Sequence, residues 1–331
     1  MPFPFINRAK SPTLAPTPTT PPRIGLALGA GAAHGWTQIG ILQVLEAHGL
    51  RPDIIAGSSI GAVVGGCYAA GKLADLEVFA RSLTPRRVFS LMDFTFSGAG
   101  LLSGGRLKSM LELQLGAVSI PELALKFGAV ATQCTTGQEV WLTSGLLSDA
   151  VRASYALPGI FEPVNIGGDW LFDGALVNPV PVTLCRALGA DLVIAVTMVA
   201  DNFGRGGVRV ASLARASEGP RDDAPGGDTT DVLTLPSDPP RRGFLANRRA
   251  SAPSIANTML DAFNITQDRI ARSRLAGDPP DAMIKCRVGK IGLFDFHRAD
   301  ELISLGKEAV EHALDDIKLE LGSALQPPQT A

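Results

Sequence analysis

Cysteine is scarce in this chain of 331 residues: there are four, at positions 67, 134, 185 and 286, with no CxxC pair and no clustering with the four histidines. That pattern excludes a disulfide framework and a Cys/His zinc site, and fits reduced, buried thiols in a reducing, cytoplasmic compartment. An excess of one charge is lacking too. Thirty basic residues face 32 acidic ones, a formal net charge of −2, so no global field draws the chain to nucleic acid. Near the N-terminus Arg8 and Lys10 are followed by Pro/Thr-rich sequence through Pro22, not by the apolar stretch of a secretory leader. Long hydrophobic runs are almost missing. The window Ile54 to Gly71 runs 18 residues without a charge. It is rich in Gly, Ala and Ser and carries a turn in its first third, so a buried strand and a buried helix are expected there, not a membrane span.

What the chain does have is enough apolar sequence, 46% of residues, for one substantial core in a single large domain. Residues 1–22 are too poor in large apolar groups to order themselves, and a disordered tail is expected. From Arg23 onward Ile24 to Leu28 reads as a buried strand, Gly29 to Gly35 as a tight loop, Trp36 to His48 as a helix ended by Gly49, and Pro52 to Ala56 as a second strand. Strand, loop, helix, strand, turn, helix is the signature of an α/β protein with a parallel sheet covered on both faces. Further strands are expected at 127–132, 138–142, 191–196 and 282–286, with helices through Arg274 and from about Ala299 to Leu321. Between them 201–253 is loaded with Gly, Pro, Arg, Asp and Ser and predicts a mobile insertion. The catalytic domain is then 23–200 plus 254–322, with a tail at 323–331.

The chemistry is concentrated in Gly57-Ser58-Ser59-Ile60-Gly61, between the apolar Ile54-Ile55-Ala56 and a small-residue helix. This is the strand, sharp turn and helix of a nucleophile elbow, with Ser59 at the tip and the Gly57 and Gly61 glycines expected to permit the strained turn. The helix N-terminus offers amides to negative charge. An ordinary small-residue turn would look similar. A serine hydroxyl needs a base and an oxyanion stabiliser. The loop Gly29-Ala30-Gly31-Ala32-Ala33-His34-Gly35 follows the first strand and opens a helix, so its small side chains let an oxygen approach successive amides. The base candidate is Asp173, at the end of an apolar run and followed by Gly174 and Ala175. That is where strands of open α/β sheets give way to functional loops, although a turn-capping aspartate fits the same pattern.

Together these residues resemble the patatin-like phospholipase family, in its bacterial branch related to neuropathy target esterase. Four ordered motifs carry the resemblance: the Gly-rich loop at 29–35, the Gly-x-Ser-x-Gly elbow at 57–61, the Ala153 to Val164 segment, and Asp-Gly-Ala at 173–175. It implies a three-layer α/β/α patatin-like fold with a mainly parallel central sheet, a Ser59–Asp173 dyad without histidine, and hydrolysis of lipid acyl esters without metal or cofactor. A lipid or lysophospholipid is then the substrate, with peripheral contact at the inner membrane surface. This chain departs from the family's pattern in having Ala32 for a common Gly and His34 for a common Arg or Lys, which takes a positive charge from the loop. Other readings of the same residues are a triad completed by His297, a dinucleotide site using Gly29, Gly31 and Asp53, and a lipid-binding scaffold without catalysis. Substrate access is expected near Trp36, Phe89, Leu91, Met92, Phe94 and Phe96, with Val88 to Leu102 as a lid or interfacial patch; packed core is the alternative for these aromatics.

Overall fold

A computed structural model describes residues 21–91, 100–102, 105–200, 255–289 and 291–324. The tails expected at 1–22 and 323–331 and the insertion expected at 201–253 lie outside the described residues, apart from 21–22 and 323–324. The chain divides into two compact units, 1–202 with 263–331, and 203–262. Of the second unit the described residues are the opening turns of one helix.

In chain order the elements begin with β1 (Ile24–Leu28), a 3-10 turn (Ala32–Trp36), α1 (Thr37–Ala47), β2 (Ile54–Ser58), α2 (Ile60–Ala69), α3 (Leu73–Arg81), α4 (Pro85–Leu91), β3 (Gly100–Leu102) and α5 (Gly105–Leu115). They continue with β4 (Lys126–Gln133), β5 (Glu139–Leu142), α6 (Leu147–Ser154), β6 (Gly159–Phe161), β7 (Val164–Ile166), β8 (Asp169–Asp173), α7 (Val182–Ala187), β9 (Leu192–Ala200), α8 (Ile255–Gly277), β10 (Ala282–Gly289) and α9 (Ala299–Ala324). The main sheet runs β10-β9-β1-β2-β4-β8-β7, with β5 also on β4. Strands β10 to β4 are parallel; β5 and β8 pair antiparallel with β4, and β7 pairs antiparallel with β8. Strands β3 and β6 pair separately.

Alternation along the strands sorts the two faces by side-chain size. Leu26, Leu28, Ile55, Phe127, Ile194 and Val196 point into the larger core, under α1, α2, α6 and α9. Ala27, Ala56, Val130, Val193 and Ala195 point to the other face, where α7 and the Ala271 and Leu275 positions of α8 cover them. Both faces are therefore buried, and β2 reads as a continuous apolar run for that reason. On the larger face α1 and α9 cross in near backbone contact: a methyl at Gly306 would overlap the Thr37 carbonyl, and one at Gly40 the Ile303 carbonyl.

The edge of β4 brings two distant chain segments together. β2 runs parallel to β4 and stops where Ser58 pairs with Val130. β8 runs antiparallel to β4 and stops where Asp173 pairs with Ala131. Val130 and Ala131 both pair with β5 on the opposite side, so β2 and β8 share one edge and meet tail to tail at consecutive positions. Neither strand can go further, and the residues that leave this junction are Ser59 and Gly174.

Candidate active site

Ser59 leaves β2 with φ 54° and ψ −121°. Among the described residues only Ala32, at φ 47°, is another non-glycine with positive φ; such a conformation costs about 1–3 kcal/mol and persists only where its surroundings enforce it. The enforcement is visible. The Ser59 amide donates to Ser154 Oγ at 3.0 Å, and its carbonyl accepts from the Ala62 amide at 2.9 Å, the first turn of α2. The elbow glycines spare the turn a Cβ clash, as expected, and do so without left-handed backbone, since neither Gly57 nor Gly61 has positive φ. They supply space: a Cβ at Gly57 would lie 2.5 Å from the Ala62 backbone nitrogen, and one at Gly61 would overlap the Leu28 carbonyl. Strain sits on the serine.

Asp173 faces it directly. Ser59 Oγ donates to Asp173 Oδ2 at 2.6 Å, across 114 positions of chain. Asp173 Oδ1 accepts from the Ala175 amide at 2.8 Å, the Asp173 carbonyl accepts from Thr132 Oγ1 at 2.8 Å, and its amide donates to the Ala156 carbonyl at 2.9 Å. The residue is fixed at four points, two on the carboxylate and two on the backbone, in a setting only 2% exposed. Burial pushes its carboxyl up to about 7, against the pull of the Ser59 and Ala175 hydrogen bonds. Gly174 permits the turn that follows, since a methyl there would overlap the Val130 carbonyl.

The Gly-rich loop is organised by its own amides, and most are already committed. Gly29 donates to Val196 O, Ala30 to Pro179 O, Ala33 to Leu293 O and His34 to Gly31 O. Gly35 lies inside the 3-10 turn, where a methyl would overlap Ile60. This corrects the expectation that Gly29, Ala33, His34 and Gly35 offer amides to an oxyanion: among the described residues the loop amides without an acceptor are those of Gly31 and Ala32. The Ile60 amide, first in α2, is equally open. His34 is corrected as well. Its ring is 4% exposed and its Nε2 lies 2.8 Å from Ile291 O, and burial holds its pKa below the ordinary histidine value.

The competing readings find no support in the geometry. His297 is exposed on a 3-10 turn over Phe296–Arg298, and the acceptor of the Ser59 hydroxyl is a carboxylate, not an imidazole. Asp53 accepts from the Ile24 amide at 2.8 Å and so ties β1 to β2 at the opposite end of the sheet from the serine. Trp36, read as access surface, is 3% exposed and donates from Nε1 to Phe296 O; the side chains of Phe89, Leu91, Met92, Phe94 and Phe96 lie outside the described residues. Sequence reasoning assigned no role to Ser154 or Thr132. Ser154 stands inside the quoted 153–164 segment, but only the fold shows which amide it meets.

A strained serine at a strand-to-helix turn, bonded to a buried carboxylate beside a loop with open amides, has the form of a nucleophile-elbow hydrolase. The sequence model of the family described as patatin-like phospholipase matches residues 26–186. An NTE family protein of Mycobacterium tuberculosis is 31% identical over 340 residues, covering 90% of this chain and 93% of that protein. Lysophospholipase NTE1 of Yarrowia lipolytica is 34% identical over 179 residues, 52% of this chain and 12% of that protein. Among solved structures, VipD from Legionella pneumophila matches with a TM-score of 0.45 at 13% identity, over 89% of this chain and 67% of that one. The chain belongs to the patatin-like phospholipase family, in its NTE branch, and is a lipid ester hydrolase by class.

Proposed function

We propose that this chain is a serine lipid acyl hydrolase of phospholipase or lysophospholipase type, in which 23–200 and 254–322 act as one catalytic domain. The observation that carries the reading is the 2.6 Å hydrogen bond from Ser59 Oγ to Asp173 Oδ2 at the tip of a strained elbow. Asp173 takes the Ser59 proton as Oγ attacks the acyl carbonyl carbon. The Gly31, Ala32 and Ile60 amides hold the negative charge that develops on the carbonyl oxygen. Asp173 returns the proton to the departing alcohol, leaving an acyl-serine. Water then attacks the acyl carbon, gives a proton to the same carboxylate, and releases the fatty acid with the serine restored. The chemistry uses no metal or cofactor. Lipid substrates place the protein in peripheral contact with a membrane surface, and among the described residues no helix is long and apolar enough to cross one.

The test is fatty-acid release from a panel of phospholipids, lysophospholipids and neutral glycerides by wild type and Ser59→Ala. Wild type is expected to release acid from at least one class, and the variant to be slower by about 10³-fold or more. A Ser59→Ala protein as active as wild type would overturn the reading.

A further inference from the structure

The linker between β10 and α9 holds the Gly-rich loop through three of its own carbonyls. Ile291 O lies 2.8 Å from His34 Nε2, Leu293 O accepts from the Ala33 amide at 2.9 Å, and Phe296 O accepts from Trp36 Nε1 at 3.3 Å. The Trp36 and Phe296 rings also meet edge to face, with centroids 6.0 Å apart. A carbonyl has no proton to give, so the hydrogen of the first contact sits on His34 Nε2. His34 and Ala33 directly follow Gly31 and Ala32, the two loop residues whose amides have no acceptor among the described residues. Ala32 meanwhile adopts φ 47°, a backbone conformation that an L side chain does not hold unaided. What lies beyond it must hold it.

We propose that His34 is a positioning residue for the oxyanion site: its Nε2–H, bound to Ile291 O, clamps the loop so that the Gly31 and Ala32 amides stay aimed at the reacting carbonyl. The inference rests on the reading of Ser59 as nucleophile and of those amides as oxyanion donors. His34 does not touch the reacting atoms itself. The clamp comes from 257 positions away, so the end of the fold sets the geometry of a loop at its beginning. Complete loss of one oxyanion donor costs about 10²–10³ in kcat. A loosened loop keeps both donors but aims them less well, and a smaller loss follows.

The test compares full-length wild type, His34→Phe, His34→Gln and His34→Leu on a short-chain p-nitrophenyl ester, with Ser59→Ala as reference. Phe fills the space without a donor; Gln returns an N–H near the place of Nε2. The expected result for His34→Phe is a kcat about 10–100-fold lower with KM within about threefold of wild type. His34→Gln should return to within about threefold of wild-type kcat, which a space-filling role would not produce. If His34→Phe does not fold, His34→Leu decides, since it too removes the donor: kcat falls by about threefold or more at unchanged KM if the clamp matters, and an unchanged kcat overturns the proposal. It is also overturned by wild-type kcat in His34→Phe, by a loss confined to KM, or by a His34→Gln protein as slow as His34→Phe. Ser59→Ala activity near wild type would instead strike the nucleophile reading, so the two failures are distinguishable.

Discussion

At Asp173 burial and hydrogen bonding oppose each other, and burial wins, since the carboxyl is pushed up to about 7, well above the ordinary carboxylate range. A carboxylate that must be ionised to accept the Ser59 proton is then half protonated near neutrality. Ester hydrolysis should rise steeply between pH 6 and 8, and a kcat/KM profile flat over that range would contradict Asp173 as the base. The same shift has a consequence for stability. The folded state binds this proton more tightly than the unfolded chain, so stability falls as pH climbs from about 4 through about 7, and the full penalty remains above that. Asp173→Asn should therefore unfold later than wild type at pH 8, by an order of 2–4 kcal/mol, with the gain shrinking toward pH 5 when denaturant midpoints are compared. No gain at pH 8 would mean that the charge is better solvated than its burial indicates. Ser59 and Asp173 were both legible in the sequence, because each stands in a short motif with its own local logic. Ser154 and the His34 contact were not, because their partners lie 95 and 257 positions away and nothing local marks them.

The elements that matter most are the ones whose ends coincide. Long buried strands such as β1, β2, β4 and β9 could be read from apolar runs, and the structure extends the last of them to Ala200. The helix expected from Trp36 opens as a 3-10 turn at Ala32 and becomes α-helical at Thr37. β6 and β7 have three residues each, too few to show a period. The direction of β8 was also hidden, since an antiparallel partner for β4 is a non-local choice. That choice is what turns a resemblance of motifs into a hydroxyl–carboxylate contact. At the other side of the elbow the position of α1 depends on its crossing with α9. Gly306→Ala should force the two backbones apart and cost about 1–3 kcal/mol, read as a lower denaturant midpoint; an unchanged midpoint would show that the helices part without strain.

For the molecule as a whole the parallel strands, the antiparallel additions on β4 and the β10–α9 linker converge on one junction. The eight-stranded sheet fixes where β2 ends, β8 delivers the carboxylate to the same edge, and the linker secures the loop opposite. Family membership follows from the similarity to the patatin-like model and the NTE relatives. The role of each group is a matter of chemistry, and it can be tested directly by the rate at which a fluorophosphonate forms an adduct on the peptide bearing Ser59. The account predicts labelling of Ser59 in wild type, the same rate in His297→Ala, and a rate slower by about 10²–10⁴-fold in Asp173→Asn. An adduct on another residue, or Asp173→Asn labelled as fast as wild type, would contradict it.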